Sequence, residues 1–163
     1  MLNVNEIRIG SWLWHSQYQK AVTVKQIHVQ GYSQNFPAKT IIWFNDDWKA
    51  GSKFYSELKQ FEGIDITPEL LEDYGFYDRV IGKQWILQIE IFNEDKPTEQ
   101  GVRLVWDEEE KKLFIEMHQR DESEEFYEQS HFYETKVTEL HQLQNLYQSL
   151  TGNELKAAVQ NDR

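Results

Sequence analysis

The sequence contains no cysteine. This absence excludes disulfide bonds, thiol nucleophiles and cysteine-ligated zinc or iron–sulfur sites, and it is typical of proteins from a reducing compartment. The chain also lacks a run of about 20 apolar residues, and its N-terminus has no apolar segment after a basic start. We therefore expect a cytoplasmic protein without a membrane span.

Motifs for catalysis and for cofactor binding are also absent. The eight glycines are too scattered to form a phosphate-binding loop or a dinucleotide fingerprint, and no G-x-S-x-G motif occurs. The histidines show no His-x-x-x-His or His-x-Glu spacing of the kind that binds metals; they stand at positions 15, 28, 118, 131 and 141. These absences favour a non-enzymatic protein with no cofactor, no metal site and no catalytic residues.

Basic residues are few, because 17 Lys and Arg stand against 28 Asp and Glu and give a formal charge of −11. A phosphate backbone would be repelled, so direct nucleic-acid binding is disfavoured. Residues 107–128 hold ten of the acidic residues and only three basic ones. This region is either a solvated hairpin and loop, or a carboxylate array that mimics phosphates and inhibits a basic protein.

Aromatic residues are too abundant for a disordered chain. In the second predicted strand the hydrophobic alternation changes phase near Lys25 and Gln26, which predicts a β-bulge. Strands are predicted at residues 8–14, 21–29 and 40–44. We interpret residues 1–62 as a small subdomain, either an incomplete SH3-like β-barrel or a curled β-meander. Four tryptophans of this subdomain either pack in its core or form an exposed binding platform: Trp12, Trp14, Trp43 and Trp48.

A short helix with marked ends is predicted in the middle of the chain. Thr67 suits the N-cap, Pro68 suits the first helical position, and Gly75 suits the left-handed residue that closes the helix. Phe76 is then placed to fold back onto Leu71.

The second half of the chain, residues 63–163, is predicted to be an α+β subdomain, so that residues 1–163 form one domain. Its strands are predicted at residues 84–92, 102–106, 113–118 and 131–137. The first of these strands is expected to bury one face, formed by Trp85, Leu87, Ile89 and Ile91. The predicted fold class is therefore α+β, an antiparallel β-meander with the barrel-like part, the middle helix and a C-terminal amphipathic helix.

The C-terminal helix is expected to begin after a cap at Thr138 and to end at Thr151 and Gly152. Its core face is predicted from residues at helical spacing: Leu140, Leu143, Leu146, Tyr147 and Leu150. The opposite face carries no charge in a chain that is 28% charged; it consists of His141, Gln144, Asn145 and Gln148. These amides are either solvated or bonded to a neighbouring strand, or they face a partner, because interface centres are depleted of charge. We predict a contact surface for another protein or for a second copy of this chain.

Three segments of the sequence resemble one family. Asn5-Glu-Ile-Arg-Ile-Gly-Ser-Trp12 is similar to an opening N-E-L-R-I-G-N-W/Y, and residues 63–71 with Gly75-Phe76 are similar to G-I-P-L-T-x-E-x-L followed by G-F. Residues 141–155 are similar to H-Q-L-Q-N-L-Y-x-x-L-T-G-x-E-L. These patterns are those of small uncharacterised proteins of Bacteroidetes genomes, prophages and mobile elements, although Asp65 replaces the usual proline. The resemblance implies a shared architecture and a mobile-element origin, and it implies no activity.

One pattern favours an enzyme, a metal-dependent hydrolase or nuclease. Such enzymes set an upstream Asp against a Glu-x-Lys to hold Mg²⁺, and here Asp78 precedes Glu94-Asp95-Lys96. Convergence of three of the residues Asp78, Glu94, His118 and His131 in a cleft would support it. On balance the sequence favours a non-enzymatic protein-binding module, whose partner is an unidentified protein or a second copy of the chain.

Overall fold

A computed structural model describes residues 2–31, 39–45, 53–79, 83–89, 99–120 and 128–157. The chain divides into two compact units. Unit 1 comprises Met1–Asp65 and Glu139–Leu146, and unit 2 comprises Ile66–Thr138 and Tyr147–Arg163. The division near residue 65 lies close to the predicted subdomain boundary at residue 62. It differs from that prediction by assigning residues 139–146 to the N-terminal unit.

Unit 1 contains one antiparallel five-stranded sheet with the order β4-β3-β2-β1-β5. Its strands are β1 (Trp12–His15), β2 (Lys20–Gln30), β3 (Lys39–Asn45), β4 (Lys53–Glu57) and β5 (Phe61–Glu62). A 3-10 turn, Leu58–Gln60, leads from β4 to β5, which returns to pair with β1. The pairings between described residues end at β4 and β5, so this sheet is open there.

The predicted bulge in β2 is confirmed. The register between β2 and β3 shifts between Val24 and Gln26, after Val24 has paired with Phe44 and before Gln26 pairs with Trp43. The extra residue lets apolar side chains on both sides of the bulge face the interior. The buried core of this unit consists of Ile7, Leu13, Val22, Val24, Ile42, Phe44 and Phe61.

Unit 2 contains a second antiparallel sheet with the order β10-β9-β8-β7-β6. Its elements are α1 (Pro68–Asp73), β6 (Tyr77–Arg79), β7 (Gln84–Ile89), β8 (Glu99–Asp107), β9 (Lys112–Arg120) and β10 (Glu128–Glu134). Two antiparallel sheets with two α-helices confirm the α+β class. The SH3-like barrel predicted for residues 1–62 is not confirmed, because the pairings between described residues do not close the sheet of unit 1.

The predicted burial of β7 is only partly right. Trp85 and Leu87, on the face predicted to be buried, are only half-buried, whereas Ile89 on that face is buried. Ile86 points to the opposite face of the sheet and is buried as well. Ile86 pairs with Val105 of β8, which is also buried. Both faces at the centre of this sheet are therefore covered, which the alternation within one strand does not reveal.

The predicted caps of α1 are confirmed. The Thr67 side chain accepts a hydrogen bond from the Leu70 backbone N–H, and Pro68 is the first helical residue. Gly75 has a φ of 84°, in the left-handed region that favours glycine. The Phe76 N–H then donates to the Leu71 carbonyl at 3.0 Å, which is the closing bond of a Schellman motif.

The C-terminal helix α2 spans Leu140–Thr151. It begins one residue later than the predicted cap at Thr138 implies, because the Glu139 carbonyl accepts the first helical bonds. It ends as predicted, with Gly152 at a φ of 73°. Of the predicted core face, Leu140 and Leu143 are buried; the remaining members are half-buried. Among the described residues, no helix is long and apolar enough to cross a membrane.

Candidate functional site: a buried polar clamp

The uncharged face of α2 is not the exposed surface that its composition predicts. His141 is fully buried and Gln144 is only 4% exposed, whereas Asn145 and Gln148 are half-buried. The prediction of exposure is therefore wrong for His141 and Gln144. The physical reason is that the N-terminal segment, residues 3–12, forms hydrogen bonds to the first half of this helix within unit 1.

Gln144 binds the N-terminal segment through both its side chain and its backbone. Its Oε1 atom accepts a hydrogen bond from the Trp12 backbone N–H at 3.1 Å. Its backbone carbonyl accepts a bond from Nη2 of Arg8 at 2.9 Å. A buried backbone N–H needs an acceptor, and a neutral amide supplies one without burying a charge. This contact explains why an amide rather than a carboxylate stands at position 144.

Asn145 and Gln142 hold Glu6 in the same region. Nδ2 of Asn145 donates to the Glu6 backbone carbonyl at 2.6 Å, and Nε2 of Gln142 donates to Oε2 of Glu6 at 3.0 Å. The bond from Gln142 is the main factor that lowers the pKa of Glu6. Oε1 of Gln142 also accepts from the Glu139 N–H at 3.3 Å, which is one half of a capping box. Gln142 thus joins the start of α2 to Glu6.

A third segment, residues 63–65, contacts the start of α2. The Leu140 N–H donates to the Ile64 carbonyl at 2.8 Å, and Asp65 forms an isolated antiparallel bridge with Glu139. A Cβ atom at Gly63 would collide with the Glu139 carboxylate. Glycine therefore suits position 63 because it permits this close approach.

We call this interface the polar clamp, formed by residues 3–12, 63–65 and 139–145. It brings together parts of all three segments that carry the family resemblance. Its hydrogen bonds join residues up to 139 positions apart in the chain. The sequence patterns were visible, but nothing in them showed that they contact one another.

His141 lies inside the polar clamp between two carboxylates. Its Nδ1 atom is 3.4 Å from Oε2 of Glu139, and its Nε2 atom is 4.0 Å from Oε2 of Glu6. Neither ring nitrogen has a hydrogen-bond partner among the described residues. Burial lowers the pKa of His141 and outweighs the two carboxylates, which raise it. The two carboxylates face opposite ring nitrogens, so a single metal ion bound by the imidazole would reach only one of them.

The other buried histidine of unit 1, His15, has a structural role. Its Nδ1 atom accepts the Tyr18 backbone N–H at 3.2 Å, so the proton of the neutral ring is on Nε2 and is donated to Oγ of Ser56 at 2.9 Å. The ring also stacks on Tyr18 and meets Phe61 edge-on. In this tautomer His15 cannot take a proton from Ser56, so the pair lacks the arrangement of a nucleophile and its base.

The residues of the hydrolase hypothesis are not brought together where they are described. Asp78 lies on β6 and His131 lies on β10, at opposite edges of the five-stranded sheet. Four strand spacings separate them, about 19 Å along the sheet. Residues 94–96 and the side chain of His118 lie outside the described structure. Across the described part of the chain, no group of three His, Asp or Glu residues could hold a metal ion.

The described tryptophans of unit 1 are neither fully buried in the core nor fully exposed as a binding platform. Trp12, Trp14 and Trp43 are half-buried, and Trp48 lies outside the described residues. Trp43 is on the sheet face opposite the core, where its ring centroid is 5.1 Å from that of exposed Tyr55, its partner on β4. Such cross-strand aromatic pairs stabilise a sheet.

Comparison with known proteins gives no match. No family model, no curated protein and no solved structure shows significant similarity to this chain. A functional proposal must therefore come from the geometry and charge of the residues themselves.

Proposed function

We propose that this protein is a non-enzymatic binding module of the cytoplasm, which takes up an extended segment of a basic partner protein along the edge strand β10. The observation that supports this proposal is the exposure of β10. Every residue from Ser130 to Glu134 is exposed, and the strand ends the order of its sheet among the described strands. An edge strand offers unpaired backbone N–H and carbonyl groups, with which an extended segment forms a further strand.

Large apolar side chains flank this edge on both faces of the sheet. Phe132 is 57% exposed and Tyr133 is 54% exposed, and consecutive residues of a strand point to opposite faces. Met117 of β9 is 48% exposed and pairs with His131, so it lies on the same face as Tyr133. A bound strand would cover apolar surface on both faces, which adds affinity to the backbone hydrogen bonds.

The edge also lacks several features that usually prevent strand addition. Protected edges are short, interrupted by a bulge, or carry proline or charged side chains, especially lysine. The seven residues of β10 contain neither lysine nor proline, and their register with β9 is unbroken from Glu128 to Glu134.

Charge favours a basic partner over a second copy of this chain. The formal charge of −11 makes two copies repel each other, whereas it attracts a positively charged segment. Close to this edge stand the exposed carboxylates Glu134 and Glu110. Lys112 neutralises only part of this charge, through its ion pairs with Glu134 and Glu110. The phosphate-mimic hypothesis predicts the same partner chemistry.

Two further parts of the proposal concern the fold of unit 1 and the origin of the protein. An SH3-like interpretation of unit 1 is supported by the strand order β4-β3-β2-β1-β5, the bulge in β2 and the 3-10 turn before β5. A fold of this kind is compatible with peptide binding but does not by itself specify it. The mobile-element origin is supported by the resemblance of the three segments alone.

Selection from a displayed library of linear peptides tests the proposal. We expect selected peptides to combine apolar residues with Lys or Arg. Their affinity should fall by about tenfold or more, which is about 1.4 kcal/mol, in the double variant Phe132→Lys, Tyr133→Lys. Lysine at these positions protects an edge and repels a basic peptide.

The matched control is Tyr77→Lys, because Tyr77 is equally an exposed aromatic residue, but on the opposite edge strand β6. This variant should bind the peptides as the unaltered protein does. Equal affinity of the β10 double variant would contradict the proposal, and so would selected peptides without basic residues. A dimer that forms in sedimentation experiments and is lost in the double variant would show that the occupant is a second copy.

A further inference from the structure

The geometry around His141 is unusual because a fully buried imidazole lies near two carboxylates and bonds to neither. The oxygen nearest to its Nε2, Oε2 of Glu6, already accepts the hydrogen bond from Gln142 at 3.0 Å. The carboxylate near its Nδ1 belongs to Glu139, whose backbone is held by the bridge to Asp65 and whose side chain fits against Gly63. Both carboxylates therefore already take part in contacts of the polar clamp.

The polar clamp is therefore built for a neutral imidazole. A buried imidazolium requires two acceptors at hydrogen-bond distance to offset the loss of water. Here the carboxylates stand 3.4 and 4.0 Å away, and water screens them because the side chains of Glu139 and Glu6 are 31% and 44% exposed. An imidazolium gains better solvation when the clamp opens and the ring reaches water.

We propose that the polar clamp is an acid-sensitive latch, in which protonation of His141 releases the N-terminal segment, residues 3–12, from the start of α2. The release would break the bonds of Gln144 with Arg8 and Trp12 and the bonds of Gln142 and Asn145 with Glu6. It would expose the side chain of Gln144 and the strand end at Trp12. This device is independent of the β10 edge and is confined to unit 1.

The charged groups around the ring fix the direction of the effect. Glu6 comes from the 3-10 helix Val4–Glu6, Glu139 precedes α2, Asp65 lies in the connection to α1, and Arg8 is held on the Gln144 carbonyl. The lowered pKa of Glu6 keeps this carboxylate ionised when a histidine titrates.

The direction of the pH effect on the stability of the closed latch follows from the linkage between protonation and opening. Burial lowers the pKa of His141 in the closed latch, whereas the ring in the open chain titrates near the ordinary value of about 6.5. The closed latch is therefore fully stable above about pH 6.5 and loses stability as the pH falls below that value toward the lowered pKa. Within this window one proton is taken up on opening, so the opening constant rises by up to about tenfold per pH unit.

Amide hydrogen exchange at a series of pH values between about 8 and 5 tests the latch in the full chain, after correction for the intrinsic pH dependence of exchange. The reporters are the Trp12 N–H, which binds Gln144, and the Leu140 N–H, which binds Ile64. Their protection should fall by up to tenfold per pH unit below about 6.5. The Leu71 N–H of α1 serves as an internal reference outside the clamp and should change less.

Two substitutions separate His141 from the other histidines. In His141→Gln the protection of Trp12 and Leu140 should no longer depend on acid, because this side chain cannot be protonated. His131→Gln removes an exposed histidine of β10 and should leave the dependence unchanged. His15 is a competing source because burial lowers its pKa too. A persistent acid effect in His141→Gln would assign the effect to His15 and overturn the proposal.

The pKa of the His141 ring in the unaltered protein, measured by NMR, tests the latch even if His141→Gln does not fold. A pKa below the ordinary histidine value of about 6.5 is expected, because burial lowers the pKa of His141. A pKa equal to or above that value would overturn the latch, because protonation would then leave the clamp unchanged or stabilise it.

Discussion

Replacing Gln144 by leucine removes one hydrogen-bond acceptor from the polar clamp while nearly keeping the side-chain volume. The Trp12 N–H loses its acceptor at 3.1 Å, whereas the bond from Arg8 to the backbone carbonyl of residue 144 remains available. The cost of a buried N–H without a partner is about 1–3 kcal/mol. We expect the free energy of unfolding to fall by that amount, because a leucine of similar size leaves little cavity.

The assay is urea unfolding followed by circular dichroism. With a slope of about 1–3 kcal/mol per molar urea, such a loss moves the midpoint by roughly 1 M at the centre of both ranges. The matched control is Gln148→Leu, the same chemical change one turn further along α2 at a half-buried position. This variant should change stability by only about 0.5 kcal/mol. Equal losses in the two variants would refute the assignment of Gln144 to a buried hydrogen bond.

The substitution Gln144→Glu tests the same position with a charged hydrogen-bond acceptor. A carboxylate keeps an acceptor for the Trp12 N–H but buries a charge at a site that is 4% exposed. Its destabilisation should exceed that of Gln144→Leu at neutral pH and should diminish in acid, where the carboxyl group is neutral. A stable Gln144→Glu variant at neutral pH would contradict the burial of this side chain.

Two further predictions concern other buried groups. Leu143→Ala should lower the free energy of unfolding by about 2–5 kcal/mol because Leu143 is fully buried. Leu146→Ala should lower it by less because Leu146 is half-buried. Equal losses of the two variants in chemical denaturation would contradict the burial assigned to these positions. Burial raises the pKa of Tyr74 to about 12, so stability should fall as the pH rises above the ordinary tyrosine value of 10.0. Tyr74→Phe should lessen this alkaline loss in pH-dependent denaturation, and an unchanged loss would show that Tyr74 is not its source.

Features set by neighbours in the chain could be predicted from the sequence. The cap at Thr67, the proline that follows it and the left-handed Gly75 all act within one helical turn of α1, so the residues that cause the structure are adjacent to it. The bulge in β2 is similar, because a change of phase in the alternation is itself the local signal. The α+β class follows from the same local periodicities.

Burial that depends on a second element could not be predicted in this way. Ile86 was expected on the exposed face of β7, but β8 brings Val105 to that face and both residues become buried. The periodicity of a strand records which of its side chains are apolar. It does not record whether another element covers the second face.

The uncharged face of α2 has one property that the sequence predicts and another that depends on the tertiary structure. The sequence by itself determined that His141, Gln144 and Asn145 share a helix face, because their spacing of three and four residues matches the helical period. Only the tertiary structure decided what that face contacts, because its hydrogen-bond partners lie 132 to 139 residues away in the chain. Amides bonded to a backbone and amides bonded to water have the same sequence pattern, and only the approach of the N-terminal segment distinguishes them.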